Sequence, residues 1–398
     1  MSKARMAWAP GRFEDLPDGS DLLCVDVLGT QFTVRWGRGV PLEQQGSMRS
    51  AWARCASTEV PLAPLPVEPT DAQPFSASVT YRSRNDDAGT FRLEAASFEE
   101  LAENLTSRLT VAAILANAGV LTMLHACGVA DPATGAVVAL VAKSGTGKTT
   151  AVSVLARTYG YVTDETVAIS RDGSVMPYPK PLSLKQGLGK AKHQLGPDEL
   201  QLLPAPSKLF IRSIVLLNRV ESAHPLAPEL ERVPLADALL ALIPDSSSQA
   251  EFARPLQSLC RLIDTVGGVW QVTYSEAGGL PAALEPLFQP QPKAEPEWEA
   301  GPTDEVQSGL ILDGWVRRTA AKDAVSIGSD LLVMLDNEII RLSGIGPAIW
   351  EASASPVALV QLAEDVGRVH GTPEGYRHAV AAATEQLIQK SVLTEGGE

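Results

Sequence analysis

The chain has 398 residues, of which 45% are hydrophobic and 20% are charged, and its formal net charge is −14. These proportions are typical of a folded protein of two or three domains and exclude a largely disordered chain. A surface this acidic repels phosphodiester backbones, so neither nucleic acid nor an anionic membrane is an expected partner.

The four cysteines are widely spaced and form no CxxC pair. They therefore predict buried, reduced thiols rather than a zinc site or a disulfide framework. Residues 1–19 contain no apolar core of signal-peptide length. We accordingly expect a cytoplasmic protein.

The N-terminal region, 1–95, is predicted to be rich in β-structure. Short runs of strand-forming residues alternate there with turn signals containing Pro and Gly. The runs are 22–28, 31–36, 78–83 and 90–95. Nothing in the region indicates a function.

A helix is predicted to begin at Ser97, because Glu100 completes a capping box and leucines and alanines then recur at helical spacing. The segment 109–130 is long and apolar enough to be tested as a membrane span. The polar residues Asn117 and His125 favour a helix end, a turn and a buried strand instead. Membrane insertion is the less favoured alternative.

Two apolar runs, 120–130 and 135–142, follow, and the sequence DPATG at 131–135 predicts a hairpin turn between them. The second run leads into a glycine-rich loop at 142–150, AKSGTGKTT. This loop meets the phosphate-loop pattern except at its first position, where Ala142 replaces glycine.

The chemistry of such a loop explains its residues. Its glycines let backbone N–H groups face a phosphate, and the following helix points its positive end at the same place. Lys148 is predicted to reach the β- and γ-phosphates and Thr149 to coordinate Mg²⁺. Ala142 fits if it keeps a negative φ. The predicted ATP-binding residues are Ser144, Gly145, Thr146, Gly147, Lys148, Thr149 and Thr150.

Two acids, Asp164 and Glu165, follow Lys148 by one predicted helix and a short strand, 161–163. This spacing places them at the carboxyl end of a neighbouring strand, beside the triphosphate. Carboxylates there can hold Mg²⁺ and deprotonate a hydroxyl. A surface turn with no catalytic role is the alternative.

Further along, 211–217 predicts a core strand, 235–266 mostly helix and 270–274 a late strand. The Pro- and Glu-rich stretch 289–306 cannot bury a core and is predicted to be a linker. A miniature domain, 307–398, follows it.

Three short strands open this last domain, at 325–328, 331–336 and 339–343. Three helices are predicted after them: one over 345–352, one capped by Ser355 with Pro356 at its first position, and one that starts in the same way at Thr372 and Pro373.

The stretch 124–170 resembles the HPr kinase/phosphorylase superfamily, and 175–187 adds to the likeness. It is most similar to HPr-kinase-related proteins of peptide-modification clusters. The resemblance implies an α/β (α+β) multidomain chain in which 96–288 is an HPr-kinase-like P-loop domain.

The resemblance also implies roles for individual residues. Asp164 resembles the catalytic base and Glu165 the acid on the metal side, and His125 resembles the histidine beside them. The predicted catalytic set is Asp164, His125 and Lys148, and the predicted magnesium ligands are Thr149, Asp164 and Glu165. A buried structural histidine is the alternative for His125.

Two lysines, Lys180 and Lys185, are candidates for further phosphate contacts, or else are solvated. Ala142 and Glu165 both depart from the HPr enzymes, whose downstream signature is also missing, so phosphorylation of HPr itself is not expected.

The region 307–398 is similar to the PqqD-like, winged-helix elements that capture a leader peptide as an added strand. The likeness lies in its strands, in 342–351 and in 387–393. A plain winged-helix accessory or dimerisation domain is the alternative.

These features together predict an ATP- and Mg²⁺-dependent kinase that phosphorylates a Ser or Thr hydroxyl of a ribosomally made precursor peptide bound at 307–398. The rival hypotheses are a kinase for a small molecule such as free serine, a non-catalytic nucleotide-binding adaptor and a regulatory ATPase. Other maturation enzymes are candidate partners, and the sequence leaves homo-oligomerisation open.

Overall fold

The computed structural model describes residues 22–62, 74–83, 88–143, 146–184, 191–222, 224–291, 295–303 and 311–396. They form a mixed α/β architecture that divides into two compact units. Unit 1 contains the described residues within Met1–Arg232, Asp245–Ser248 and Val266–Pro292. Unit 2 contains those within Val233–Pro244, Gln249–Thr265 and Lys293–Glu398.

The helices and strands are numbered along the chain. The helices are α1 (Leu42–Ala51), α2 (Phe98–Ala116), α3 (Lys148–Leu155), α4 (Leu235–Leu242), α5 (Pro255–Thr265), α6 (Leu280–Leu284), α7 (Gly346–Ala352), α8 (Leu359–His370) and α9 (Tyr376–Gln389). The strands are β1 (Leu22–Val27), β2 (Thr30–Trp36), β3 (Phe75–Arg82), β4 (Ala88–Ala95), β5 (Thr122–Leu124), β6 (Ala126–Ala130), β7 (Ala136–Val141), β8 (Gly160–Thr163), β9 (Val167–Ile169), β10 (Val175–Met176), β11 (Leu182–Leu184), β12 (His193–Leu195), β13 (Phe210–Arg219), β14 (Glu229–Val233), β15 (Ser246–Ser247), β16 (Val269–Tyr274), β17 (Glu299–Ala300), β18 (Trp315–Arg318), β19 (Asp323–Ile327), β20 (Asp330–Leu335), β21 (Glu338–Leu342), β22 (Val357–Ala358) and β23 (Leu393–Glu395).

An antiparallel meander, β1-β2-β3-β4, confirms the strands predicted in the N-terminal region. Helix α2 packs on it through buried leucines and begins as predicted, with the Ser97 hydroxyl accepting the Glu100 N–H. Helix α1 was not predicted, because its Gln- and Ser-containing sequence has little amphipathic pattern.

The six-stranded sheet of unit 1 has the order β14-β16-β13-β7-β6-β8. Strands β7, β13 and β16 run parallel, whereas β6 is antiparallel to both β7 and β8. The β6–β7 hairpin turns at 131–135 as predicted, with the Gly135 N–H donating to the Asp131 carbonyl. Strand β7 is buried at every position, which suits its β-branched and apolar residues.

The long apolar segment 109–130 contains the end of α2, a turn after Asn117, and then β5 and β6. Asn117 is buried, and its amide donates to the Leu28 and Ala113 carbonyls. Within the described residues, no helix has the length and apolarity needed to cross a membrane. All four cysteines are buried and unpaired, as predicted.

Unit 2 contains two small sheets, β17-β19-β20-β21 and β22-β18-β23, with α7, α8 and α9 packed into one core. The predicted meander is confirmed as β19, β20 and β21. Helices α4 and α5 also belong to this unit, and α5 packs on β19. Inside the predicted linker, Trp298 donates to the Asp264 carboxylate at 2.8 Å, and β17 pairs with β19.

Two predicted helix starts in this unit were wrong. The residues after Pro356 form β22, which pairs with β18, so α8 begins only at Leu359. Helix α9 begins at Tyr376 rather than Thr372, because Gly375 adopts a left-handed φ of 79° just before it. In both places a strand pairing or a glycine outweighs the Ser/Thr-Pro signal.

Candidate functional site

One edge of the six-stranded sheet gathers the predicted site residues. The parallel strands β7 and β13 end there at Val141 and Arg219, and β8 ends there at Thr163 because β6 is antiparallel to both its neighbours. The antiparallel β6 begins at the same edge, immediately after His125. The carboxyl edge of parallel strands is where α/β sheets bind ligands.

The glycine-rich loop connects β7 to α3 at this edge. Gly147 has a φ of 95°, a left-handed conformation that favours glycine, and α3 starts at the next residue. Ala142 keeps the negative φ that its side chain requires and is buried. The Thr146 hydroxyl donates to the Lys143 carbonyl at 2.6 Å and closes the turn. Ser144 and Gly145 lie outside the described residues.

Lys148 is buried, and its ammonium donates to the Ala142 carbonyl. Burial lowers the pKa of Lys148, although the negative charges of Asp245, Glu165 and Asp164 oppose the shift. A buried cation at the positive end of the α3 dipole is suited to an anionic ligand.

The acid pair follows β8 directly. Asp164 is buried, whereas the Glu165 side chain is 34% exposed. The ammonium of Lys180 lies 2.8 Å from Asp164 Oδ1 and 3.3 Å from Glu165 Oε2. The Tyr161 hydroxyl donates to the same Asp164 oxygen at 3.2 Å, which fixes the orientation of that carboxylate.

His125 lies beside the acid pair and the loop. Its backbone N–H donates to the Asp245 carbonyl at 2.6 Å. Burial, followed by the charge of Lys148, lowers the pKa of His125, while Glu165 and Asp245 oppose the shift. The neutral imidazole therefore dominates at pH 7.

A pocket of about 730 Å³ connects these groups. From the predicted site it is lined by His125, Gly147, Lys148, Thr149, Thr150, Asp164 and Glu165. Its other lining residues are Glu103, Thr106, Ser107, Ser153, Lys180, Ser183, Leu184, Lys192 and Arg219. Thr146 belongs to the loop but not to this lining, and Lys185 lies outside the described residues.

Several residues of the site were not predicted from the sequence, among them Arg219 and Asp245. Arg219 ends β13, and its guanidinium lies 3.7 Å from the position of a Cβ on Gly147, so it covers the loop. Asp245 precedes β15, and its charge acts on both His125 and Lys148. The only sequence signal for Arg219 was its place two positions after the predicted core strand, 211–217.

A bound Mg²⁺ would find a sparse set of protein ligands here. Among the described residues, no group of three His, Cys, Asp or Glu side chains could hold a metal ion. The Thr149 hydroxyl and the partly exposed Glu165 carboxylate are oxygen donors in one pocket. Mg²⁺ commonly binds one or two such protein oxygens together with phosphates and water, so the residues fit a nucleotide-bound ion.

Comparison with known proteins adds little to this geometry. No protein-family model matches the chain, and no curated protein matches it either. Among solved structures, the chain is similar to the Hpr(Ser) kinase/phosphatase from Coxiella burnetii, with 11% identity and a TM-score of 0.19. The match covers 42% of this chain and 92% of that one. A TM-score this low does not establish a common fold, so the function has to be derived from the residues of the site.

Proposed function

We propose that this protein is an ATP-dependent kinase that phosphorylates a Ser or Thr hydroxyl of a peptide held by its C-terminal region, 307–398. The observation that carries the proposal is the shared pocket of Lys148, Asp164 and His125 at one sheet edge. A phosphate-binding loop and a carboxylate base are the two parts that phosphoryl transfer requires of a protein.

The nucleotide phosphates would lie against the loop and the first turn of α3. Lys148 and Arg219 both line the pocket and supply positive charge, and Thr149 offers a hydroxyl. A bound Mg²⁺ would neutralise charge on the β- and γ-phosphates. The HPr-kinase-like identity of this core, and its preference for ATP, belong to the proposal.

The transfer itself needs few groups. The hydroxyl oxygen of the acceptor attacks the γ-phosphorus as the bond to the β-phosphate oxygen breaks and ADP leaves. The hydroxyl proton passes to Asp164, whose carboxylate is held by Lys180 and Tyr161. Lys148 stabilises the charge that develops on the leaving oxygen.

The peptide-binding half of the proposal rests on unit 2. Strand β21 is at the end of its four-stranded sheet, where a peptide can add as a further strand. A groove of about 420 Å³ lies on it, lined by Glu338, Ile339, Ile340, Arg341 and Lys390. Arg341 is ion-paired with Asp237 and Asp330, so Lys390 is the lining cation that remains for a peptide acid beside the two isoleucines.

The test is to look for a short precursor-peptide gene beside the gene for this protein, to incubate that peptide with the protein and Mg·ATP, and to measure a phosphate-sized mass gain. We expect Asp164→Asn to bind ATP normally but to lose transfer by about 100-fold or more. Lys148→Ala should weaken ATP binding, whereas Glu229→Gln, an exposed acid on β14, should change neither.

The C-terminal region is tested in the same assay. Lys390→Glu should weaken peptide binding and raise the KM for the peptide, while Lys322→Glu, an exposed lysine outside the groove, serves as its control. The protein would be an adaptor if it binds ATP without phosphorylating the peptide and if the Asp164→Asn variant keeps the biological activity of the wild type. Equal ATP hydrolysis with and without peptide would indicate a regulatory ATPase.

A further inference from the structure

We propose that the Lys180 ammonium takes the place of a second divalent ion at the acid pair, Asp164 and Glu165. The site then works with a single Mg²⁺. The inference rests on the proposed nucleotide binding and concerns how the chain itself neutralises Asp164 and Glu165. Lys180 is a positioning residue in this proposal, since it acts through Asp164.

The contacts of Lys180 resemble those of a bound ion. Its ammonium reaches Asp164 Oδ1 at 2.8 Å, Glu165 Oε2 at 3.3 Å and the Pro181 carbonyl at 3.2 Å. An ammonium has three N–H donors, so each has an oxygen acceptor. All three acceptors are oxygens, the atom type that Mg²⁺ also prefers.

The burial of Lys180 makes this arrangement persistent. Only 2% of the residue is exposed, and a lone buried ammonium would be very costly. Removing the ammonium would leave a buried carboxylate uncompensated, so the pair is held as a unit.

The backbone around Lys180 is also constrained. Proline stands on either side of it, at 179 and 181, which restricts the local conformations. The Tyr161 hydroxyl lies 3.2 Å from both the Lys180 carbonyl oxygen and Asp164 Oδ1, so its one hydrogen is shared between these two acceptors. The cation and the base are thus fixed to one buried tyrosine.

The formal charges favour one divalent ion over two. With two carboxylates and one ammonium, these three side chains carry a net −1, so most of the negative charge that a divalent ion would meet lies on the triphosphate. Two-metal phosphoryl-transfer sites clamp both the attacking and the leaving oxygens with ions 3.5–4 Å apart, roughly. Here an ammonium already occupies the acid side, and an ion on Thr149 and the phosphates would serve the leaving side.

The experiment measures bound Mn²⁺ by electron paramagnetic resonance in the full-length protein saturated with a non-hydrolysable ATP analogue. We expect one bound ion per chain in the wild type and in Lys180→Arg, which keeps the positive charge. Lys180→Met should bind a second ion on the freed carboxylates. Lys208→Met, an exposed lysine outside the pocket, should bind one ion.

Two ions in the wild type would overturn the proposal without any variant, so it does not depend on Lys180→Met being folded. A single ion in a folded Lys180→Met would overturn it as well. Failure of the wild type to bind the ATP analogue at all would instead reject the proposed function, together with this inference. Nucleotide binding with the wrong number of ions rejects only the inference.

Discussion

Two buried lysines of the site are held by opposite kinds of partner. Lys180 is neutralised by carboxylates, and its pKa is raised above the ordinary value. Lys148 donates to a backbone carbonyl, and burial lowers its pKa. The carboxylates near Lys148 act on it only at a distance, whereas an approaching phosphate would bring negative charge into direct contact with its ammonium. Lys148 is therefore the better phosphate ligand of the two.

The sequence offered Lys180 as a candidate for phosphate contact, and the structure places its ammonium on the acid pair instead. Spacing along the chain predicted the edge at which Lys148 and Asp164 would meet, since both follow short strands. It could not reveal that Lys180 or Arg219 reaches the same pocket, because their side chains arrive from separate strands and loops.

The residue with the clearest structural role in unit 2 is Asp323, which is fully buried at the start of β19. Its carboxylate accepts the Gln257 backbone N–H at 2.9 Å and the Gln257 side-chain amide at 2.8 Å, and so caps the first turn of α5. Asp323 thus ties the C-terminal strands to α5 through Gln257, which lies 66 positions earlier in the chain.

We predict that Asp323→Ala destabilises unit 2 by about 2–4 kcal/mol, because two buried donors lose their acceptor. Hydrogen–deuterium exchange of the α5 amides across a urea titration measures the change. Glu385→Ala, an exposed acid on α9, should leave the exchange as in the wild type. Equal protection of α5 in both variants would show that the cap contributes nothing.

At the scale of elements, the β6–β7 hairpin carries the site, because His125 precedes it and the phosphate loop follows it. The turn depends on Gly135, whose φ is 78°. A Cβ there would also collide with the backbone carbonyl of Lys208. Both the left-handed backbone and the close approach favour glycine.

We predict that Gly135→Ala lowers the free energy of unfolding of unit 1 by about 2 kcal/mol or more, since strain and collision add. Gly46→Ala is the matched control, because a Cβ at this α1 position has no heavy atom within 4 Å. It should raise stability by about 0.5–1 kcal/mol. Urea unfolding of both variants checks the opposite signs, and a stable Gly135→Ala would contradict the role given to the turn.

Elements with a strong local pattern were predictable and those set by distant partners were not. Strand β7 and helix α2 follow from apolar runs and a capping box. The start of α8 was misplaced because β22 forms only by pairing with β18, which no local signal reveals. The magnesium ligands and the domain boundaries stay predictions.

At the scale of the whole molecule, unit 2 is assembled from separate stretches of chain. Helices α4 and α5 come from the middle of the sequence, yet they group with the C-terminal strands and helices. Buried side chains of α5 include Leu256, Leu259 and Ile263, and α5 packs on β19. A discontinuous unit of this kind cannot be read from composition, which marks only the Pro- and Glu-rich stretch between its parts.

This assembly predicts the outcome of a single backbone cut. A protease site placed within 304–310, outside the described residues, would separate α5 from β19 along the chain but not in space. We expect both fragments to elute together in size-exclusion chromatography, because the buried face of α5 and the Asp323 cap still join them. With Asp323→Ala the cleaved protein should separate at a lower urea concentration than with Glu385→Ala. Fragments that part without denaturant would show that the C-terminal region folds and stands alone, and peptide capture would then belong to an independent domain.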